Sequence, residues 1–177
     1  MVKTKIIIFI LFLLLASCTS KNEFGRSRVN INKFNFRPIM DKNIFSKIDS
    51  CAFYKLLLND KLVESRRNRA VDVDMIEGFK FYNNGKVGYF KNVILQDVTT
   101  FNPKKSIMGI YKNTSNGINI EYIVKNPQIG IHIWKENIIN IFQYGDTIKT
   151  FVVNNGDTVS YKKIKIPKEF LIYKPDW

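Results

Sequence analysis

Ten consecutive apolar residues, 6–15, follow Lys3 and Lys5 and stop at Ala16-Ser17-Cys18. A helix that spans a bilayer needs about 20 such residues, so this stretch is too short to serve as a permanent span. A basic start, a brief apolar stretch and a close of small residues make up an export signal, here residues 1–17, removed by a cut between Ser17 and Cys18. Residues 18–42 follow no period of 2 or 3.6, carry Asn, Ser, Lys and Arg with scattered aromatics, and read as a disordered tether. Phe24, Phe34 and Phe36 within it can enter a membrane interface or pack back on the domain. Residues 43–58 are mixed: Phe45, Ile48, Ala52 and Leu56 fall on a helical stripe, while Cys51-Ala52-Phe53-Tyr54 is strand material. The expectation is a short helical turn and then a strand over residues 50–58. Asn59-Asp60 turns the chain, and residues 64–69 form an exposed basic loop.

Beyond residue 77 short alternating runs are separated by Asn-Gly and Gly-Asp pairs, which tolerate the positive φ of tight hairpin turns. Phe79-Lys80-Phe81 and Val87-Gly88-Tyr89 flank Asn83-Asn84-Gly85. Residues 107–111 and 118–122 flank Ser115-Asn116-Gly117, and residues 148–153 and 159–166 flank Asn154-Asn155-Gly156-Asp157. Between the second and third hairpins, residues 129–134 and 138–144 read as two strands joined by a turn at Lys135-Glu136-Asn137. Ile129, Ile131 and Ile133 share one face of the first, His132 and Trp134 the other. Apolar parity flips between Tyr161 and Ile164, which predicts a β-bulge or a strand changing faces. Eight to ten strands joined by short turns, with no long helix between them, make the chain all-β and an antiparallel up-and-down meander. Closure removes exposed edges, so the expected form of residues 43–177 is a barrel resembling the lipocalin or fatty-acid-binding type, with an open β-sandwich as the alternative.

Removing residues 1–17 leaves about 160, enough for one domain with a real core. Cys51 is then the only cysteine besides Cys18, so stability has to come from packing, and Cys51 itself reads as a small buried hydrophobe. The formal charge of +13 falls to +11 once Lys3 and Lys5 leave. Export excludes nucleic acid as the partner of that charge and leaves anionic envelope components, such as headgroups or acidic glycans, or simple solvation of the surface.

Leu15-Ala16-Ser17-Cys18 resembles the bacterial lipobox. The resemblance implies that the Cys18 thiol receives a diacylglycerol, that the bond after Ser17 is cut, and that further acylation with palmitate-like chains follows. Two or three acyl chains anchor a protein stably where one is marginal, so the implied partner is a lipid bilayer held through Cys18. Thr19, where aspartate would favour the inner membrane of enterobacteria, points to the outer membrane. Ser20-Lys21-Asn22-Glu23 resembles the lysine-plus-acidic stretch of surface lipoproteins in Bacteroidota, with one acidic residue only. Residues 166–177, with Met108-Gly109-Ile110-Tyr111 and Ile120-Glu121-Tyr122, resemble uncharacterised Bacteroidota lipoproteins over residues 77–177. That likeness implies a fold and no activity.

Few residues carry recognisable chemistry. His132 is the sole histidine, which excludes a multi-histidine metal site and leaves one candidate base, read as an exterior or cavity-lining residue. No Gly-x-Ser-x-Gly elbow and no phosphate-cradling glycine loop occurs. Asp72, Asp74 and Glu77 lack the ligand spacing of a calcium loop and read as solvated carboxylates beside Arg66, Arg67 and Arg69. Glu121 faces outward if Ile118, Ile120, Tyr122 and Val124 form the core side. No catalytic residue, metal or cofactor is expected, and the protein is not expected to be an enzyme. Trp134, His132, Tyr122 and Tyr111 are the expected contacts for a small ligand or a surface partner. Two functions stand: a barrel that binds a small apolar or amphipathic ligand, and a structural or interaction lipoprotein without one.

Overall fold

A computed structural model describes residues 20–39, 48–57, 75–115, 117–126, 128, 130–144, 146–153 and 156–177. Signal residues 1–17, Cys18, the basic loop 64–69, Asp72 and Asp74 lie outside them. Eight strands form the body: β3 (Ala52–Leu57), β4 (Ile76–Phe81), β5 (Lys86–Val93), β6 (Ile107–Thr114), β7 (Gly117–Asn126), β8 (Gly130–Tyr144), β9 (Thr147–Val152) and β10 (Thr158–Lys165). Each pairs antiparallel with its neighbours in sequence, and β10 returns to β3, so the meander closes into an up-and-down barrel. Two short strands, β1 (Ser20–Lys21) and β2 (Ser27–Arg28), make a separate hairpin ahead of it.

The β4–β5 turn forms where Asn83-Asn84-Gly85 places it: Gly85 has φ of 76°, a conformation that costs other residues. A side chain there would also run into the backbone of Ile39, 2.6 Å from its Cβ position. The turn thus seats the end of the N-terminal segment as well.

Alternation puts Tyr54, Phe79, Phe81, Tyr111, Ile118, Ile120, Ile148 and Tyr161 inside the barrel, all but solvent-free. The outer wall is apolar in two places too. Phe53, Phe90 and Val93 are covered by Phe101 of a 3₁₀ turn (Val98–Phe101) and by Phe170 and Leu171 of the C-terminal 3₁₀ turn (Lys168–Ile172). Met108, Ile110 and Ile123, with Ile131 and Ile133, lie under Val29, Ile31, Phe34 and Phe36.

Four expectations are thereby corrected. Residues 20–39 are a strap laid across the barrel, not a free tether: Phe34 is buried, and Arg28 donates to the carbonyls of Pro103, Lys104 and Ser106 at 3.1–3.2 Å. Lys135-Glu136-Asn137 is no turn but the middle of β8, whose 15 residues pair with β7 first and β9 afterwards. Tyr161 to Ile164 contains no bulge, since the register against β3 runs unbroken. Parity flips because Ile164 joins the covered outer cluster. Cys51 is exposed, because it precedes β3 in a turn closed by its own N–H on Asp49 Oδ1 at 2.8 Å.

Lys80 sits on the outer wall yet is 5% exposed. Its ammonium donates to the carbonyls of Ser50 and Phe81 and lies 5.1 Å from the Tyr82 ring. Burial pushes its pKa down to about 8, with Cys51 and Asp49 acting weakly the other way. Between that value and the usual 10.5 the unfolded chain binds more protons than the folded one, so Lys80 makes stability rise with pH across that window. A change of this size corresponds to about 3 kcal/mol. Urea midpoints of the protein and of Lys80→Met, compared at pH 7 and pH 10, should show the variant's relative advantage shrinking by up to that amount. Parallel pH curves would mean that Lys80 keeps its solvent in the fold.

Candidate functional site

The lumen is filled at one end and open at the other. Phe79 closes the filled part: its ring lies 4.9 Å from Tyr89, 5.7 Å from Tyr122, 5.0 Å from Tyr161 and 5.9 Å from Phe81, and so reaches three other strands across the barrel. Above it, at the end where β4 and β6 begin and β7 finishes, lies a cavity of about 410 Å³. That volume lies within the range of small-molecule sites, roughly 300–1,000 Å³.

Period-2 alternation delivers the wall. Tyr89 on β5 and Tyr122 on β7 stack with centroids 5.4 Å apart and planes 18° from parallel. Trp134 on β8 stands directly across the strand pair from Tyr122. Ile107 and Val124 complete the apolar side. Charge collects at the rim, from Glu77, Lys91 and Lys125, and the Gly25-Arg26-Ser27 corner of the strap's hairpin borders the opening. Gly25 takes φ of 69° in that hairpin turn, which Asn22 braces by accepting the backbone N–H groups of Phe24 and Arg26. Glu77 accepts the hydroxyl of Tyr89. Arg26 donates its Nε to the carbonyl of Lys105 at 2.7 Å. Burial, and then the neighbouring Arg28 charge, lower the Arg26 pKa below its ordinary value.

Of the residues expected to touch a ligand, Trp134 and Tyr122 are in the cavity wall. His132 stands one step further along the inner face of β8, opposite Val124, with Nε2 buried and without a hydrogen-bond partner among the described residues. Tyr111 is elsewhere: it packs on Phe81 in the filled part, with its hydroxyl on the Tyr82 carbonyl at 2.6 Å. Burial raises the Tyr111 pKa, so this phenol is a structural donor. Sequence reasoning missed Tyr89, Lys91, Ile107 and Arg26. Alternation from Phe79 could have found Glu77, and from Val87 it could have found Tyr89 and Lys91, but nothing in the sequence brings Arg26 to the same opening.

Glu121 does point outward from the barrel wall, and it is nonetheless 3% exposed. The strap covers it, with Asn35 donating its backbone N–H at 2.8 Å and its side-chain amide at 2.5 Å, and Lys135 lies 3.8 Å away. Glu121 therefore fastens the strap. Among the described residues no set of His, Cys, Asp and Glu gathers to hold a metal ion. The arrangement at the mouth can enclose a guest, stack on it and answer its charge. No protein-family model, curated protein or solved structure matches the chain.

Proposed function

We propose that the protein is an envelope lipoprotein, anchored through acylated Cys18 at the outer membrane, whose barrel mouth binds a small amphipathic ligand. The cavity above Phe79 carries the binding part: it is bounded, aromatic on its wall and charged at its rim. A guest with an apolar body and a polar end matches that division. The anchoring part rests on Leu15-Ala16-Ser17-Cys18 and on the short apolar stretch before it.

Native mass spectrometry of the chain purified from its own host, before and after organic extraction, tests the binding reading. The expected result is a small co-purifying species that disappears on extraction. An apo mass in both preparations would overturn it in favour of a surface-interaction role. One observation favours that second reading: Lys55 of β3 stands directly across from Lys162 of β10 on the outer wall, and neither has an ion-pair partner among the described residues. Like charges placed opposite each other are destabilising, and an anionic envelope component would relieve them.

A further inference from the structure

The cavity also indicates what kind of guest it takes, an inference that rests on the ligand-binding reading above. Depth sets the first limit. Phe79 and Tyr161 block the lumen below the cavity, so a long acyl chain has no room to extend and the guest must be compact.

Shape sets the second. Tyr89 and Tyr122 lie nearly parallel, and Trp134 flanks Tyr122. Flat aromatic walls give a planar ring more contact than they give a flexible chain, with an offset-stacked or edge-on gain beyond area alone.

Charge sets the third. Among the described residues three cations border the cavity, Arg26, Lys91 and Lys125, against one carboxylate, Glu77, which already accepts the Tyr89 hydroxyl. Arg28 near Arg26 has its own counter-ion, Asp176 at 3.1 Å. Arg26 has none among the described residues: only its Nε is engaged, and by a neutral carbonyl. Lys91 and Lys125 are exposed, and taken alone they would be ordinary solvated lysines. Arg26 is different, because it is half-buried beside a like charge and its guanidinium keeps donors to spare.

We propose that the barrel mouth binds compact aromatic anions, with the ring packed against Tyr89, Tyr122 and Trp134 and a carboxylate or sulfonate held at Arg26 with Lys91 and Lys125. The anionic group supplies the counter-charge that Arg26 lacks among the described residues, and the ring replaces water on an aromatic wall.

Calorimetric titration of the intact chain with naphthalene-2-sulfonate and with 2-naphthalenemethanol, which share one ring system and differ in charge, tests this. The sulfonate should bind at least tenfold more tightly, and its advantage should fall as salt is raised from about 50 to 500 mM. Arg26→Gln should remove most of that advantage and Arg26→Lys should keep part of it. Lys91→Gln, an exposed change that spares the fold, should weaken the sulfonate about threefold and leave the alcohol unaffected. Equal affinities for the two probes would overturn the charge assignment while the ligand-binding reading stands. Binding of neither would overturn the aromatic site altogether, whereas the host-purified mass decides separately whether the barrel carries some other guest.

Discussion

Phe79→Ala should cost about 3–5 kcal/mol, the range for a large aromatic removed from a packed core, and lower the melting temperature by about 10 °C or more. Phe79 has no exposed surface and contacts four other rings. Those rings come from four different strands or positions, β4 itself, β5, β7 and β10, so the lost contacts loosen opposite walls together. The barrel backbone is a closed hydrogen-bonded ring and cannot collapse far into the gap, which puts the cost toward the upper end. The same change removes the floor of the mouth cavity and joins it to the space below, so a guest too long for the native protein should gain affinity in the variant. Phe24→Ala provides the control: its side chain is 44% exposed, and a change of under about 0.5 kcal/mol is expected. Urea denaturation of the three proteins checks both numbers. A Phe79 variant as stable as the parent would mean that the lumen closes over the deletion.

The features visible in the sequence are those set by near neighbours. Asn83-Asn84-Gly85 marks its turn because the backbone conformation is a local demand, and Phe79, Tyr122 and Trp134 declare their faces because alternation has a period of two. Features that depend on distant chain escape this reading. Lys135 resembles a turn residue until Glu121 is found opposite it on β7; in that pairing a charged residue belongs in the middle of a strand. Ile164, Met108 and Ile110 break the simple inside-outside code because the outer wall is covered by segments far away in sequence. The cavity was half legible for the same reason. Its wall follows from alternation, while Arg26 arrives on a hairpin whose place is set by the carbonyls of Lys104 and Lys105, 82 and 79 residues beyond their donors.

A chain beginning at residue 43, where sequence alone puts the domain boundary, should self-associate through a newly exposed apolar patch. The strap over residues 20–39 carries little regular structure, yet it covers Met108, Ile110 and Ile123, which are at most 2% exposed. Without Val29, Ile31, Phe34 and Phe36, these side chains, with Ile131 and Ile133, form one contiguous apolar patch on the barrel wall, the kind of surface that drives association. The loss extends to the other end of the chain. Arg28 joins the strap to the loop before β6 and to the C-terminus, through Asp176 at 3.1 Å and the Trp177 ring at 5.1 Å. Trp177 in turn donates to the Gly109 carbonyl at 3.0 Å. Hydrogen bonds with a charged partner contribute about 1.5–3 kcal/mol each, so Arg28→Ala alone should destabilise the full chain by at least about 3 kcal/mol. Size-exclusion chromatography should find residues 20–177 monomeric and residues 43–177 associated, with the shorter chain also binding a hydrophobic dye. A shorter chain that stays monomeric with an unchanged urea midpoint would show that the strap adds nothing to the barrel, and the tether reading of the sequence would return. It would also remove Arg26 from the mouth without consequence for the fold, and that chain could then be titrated as a barrel with its aromatic wall intact and one rim cation missing.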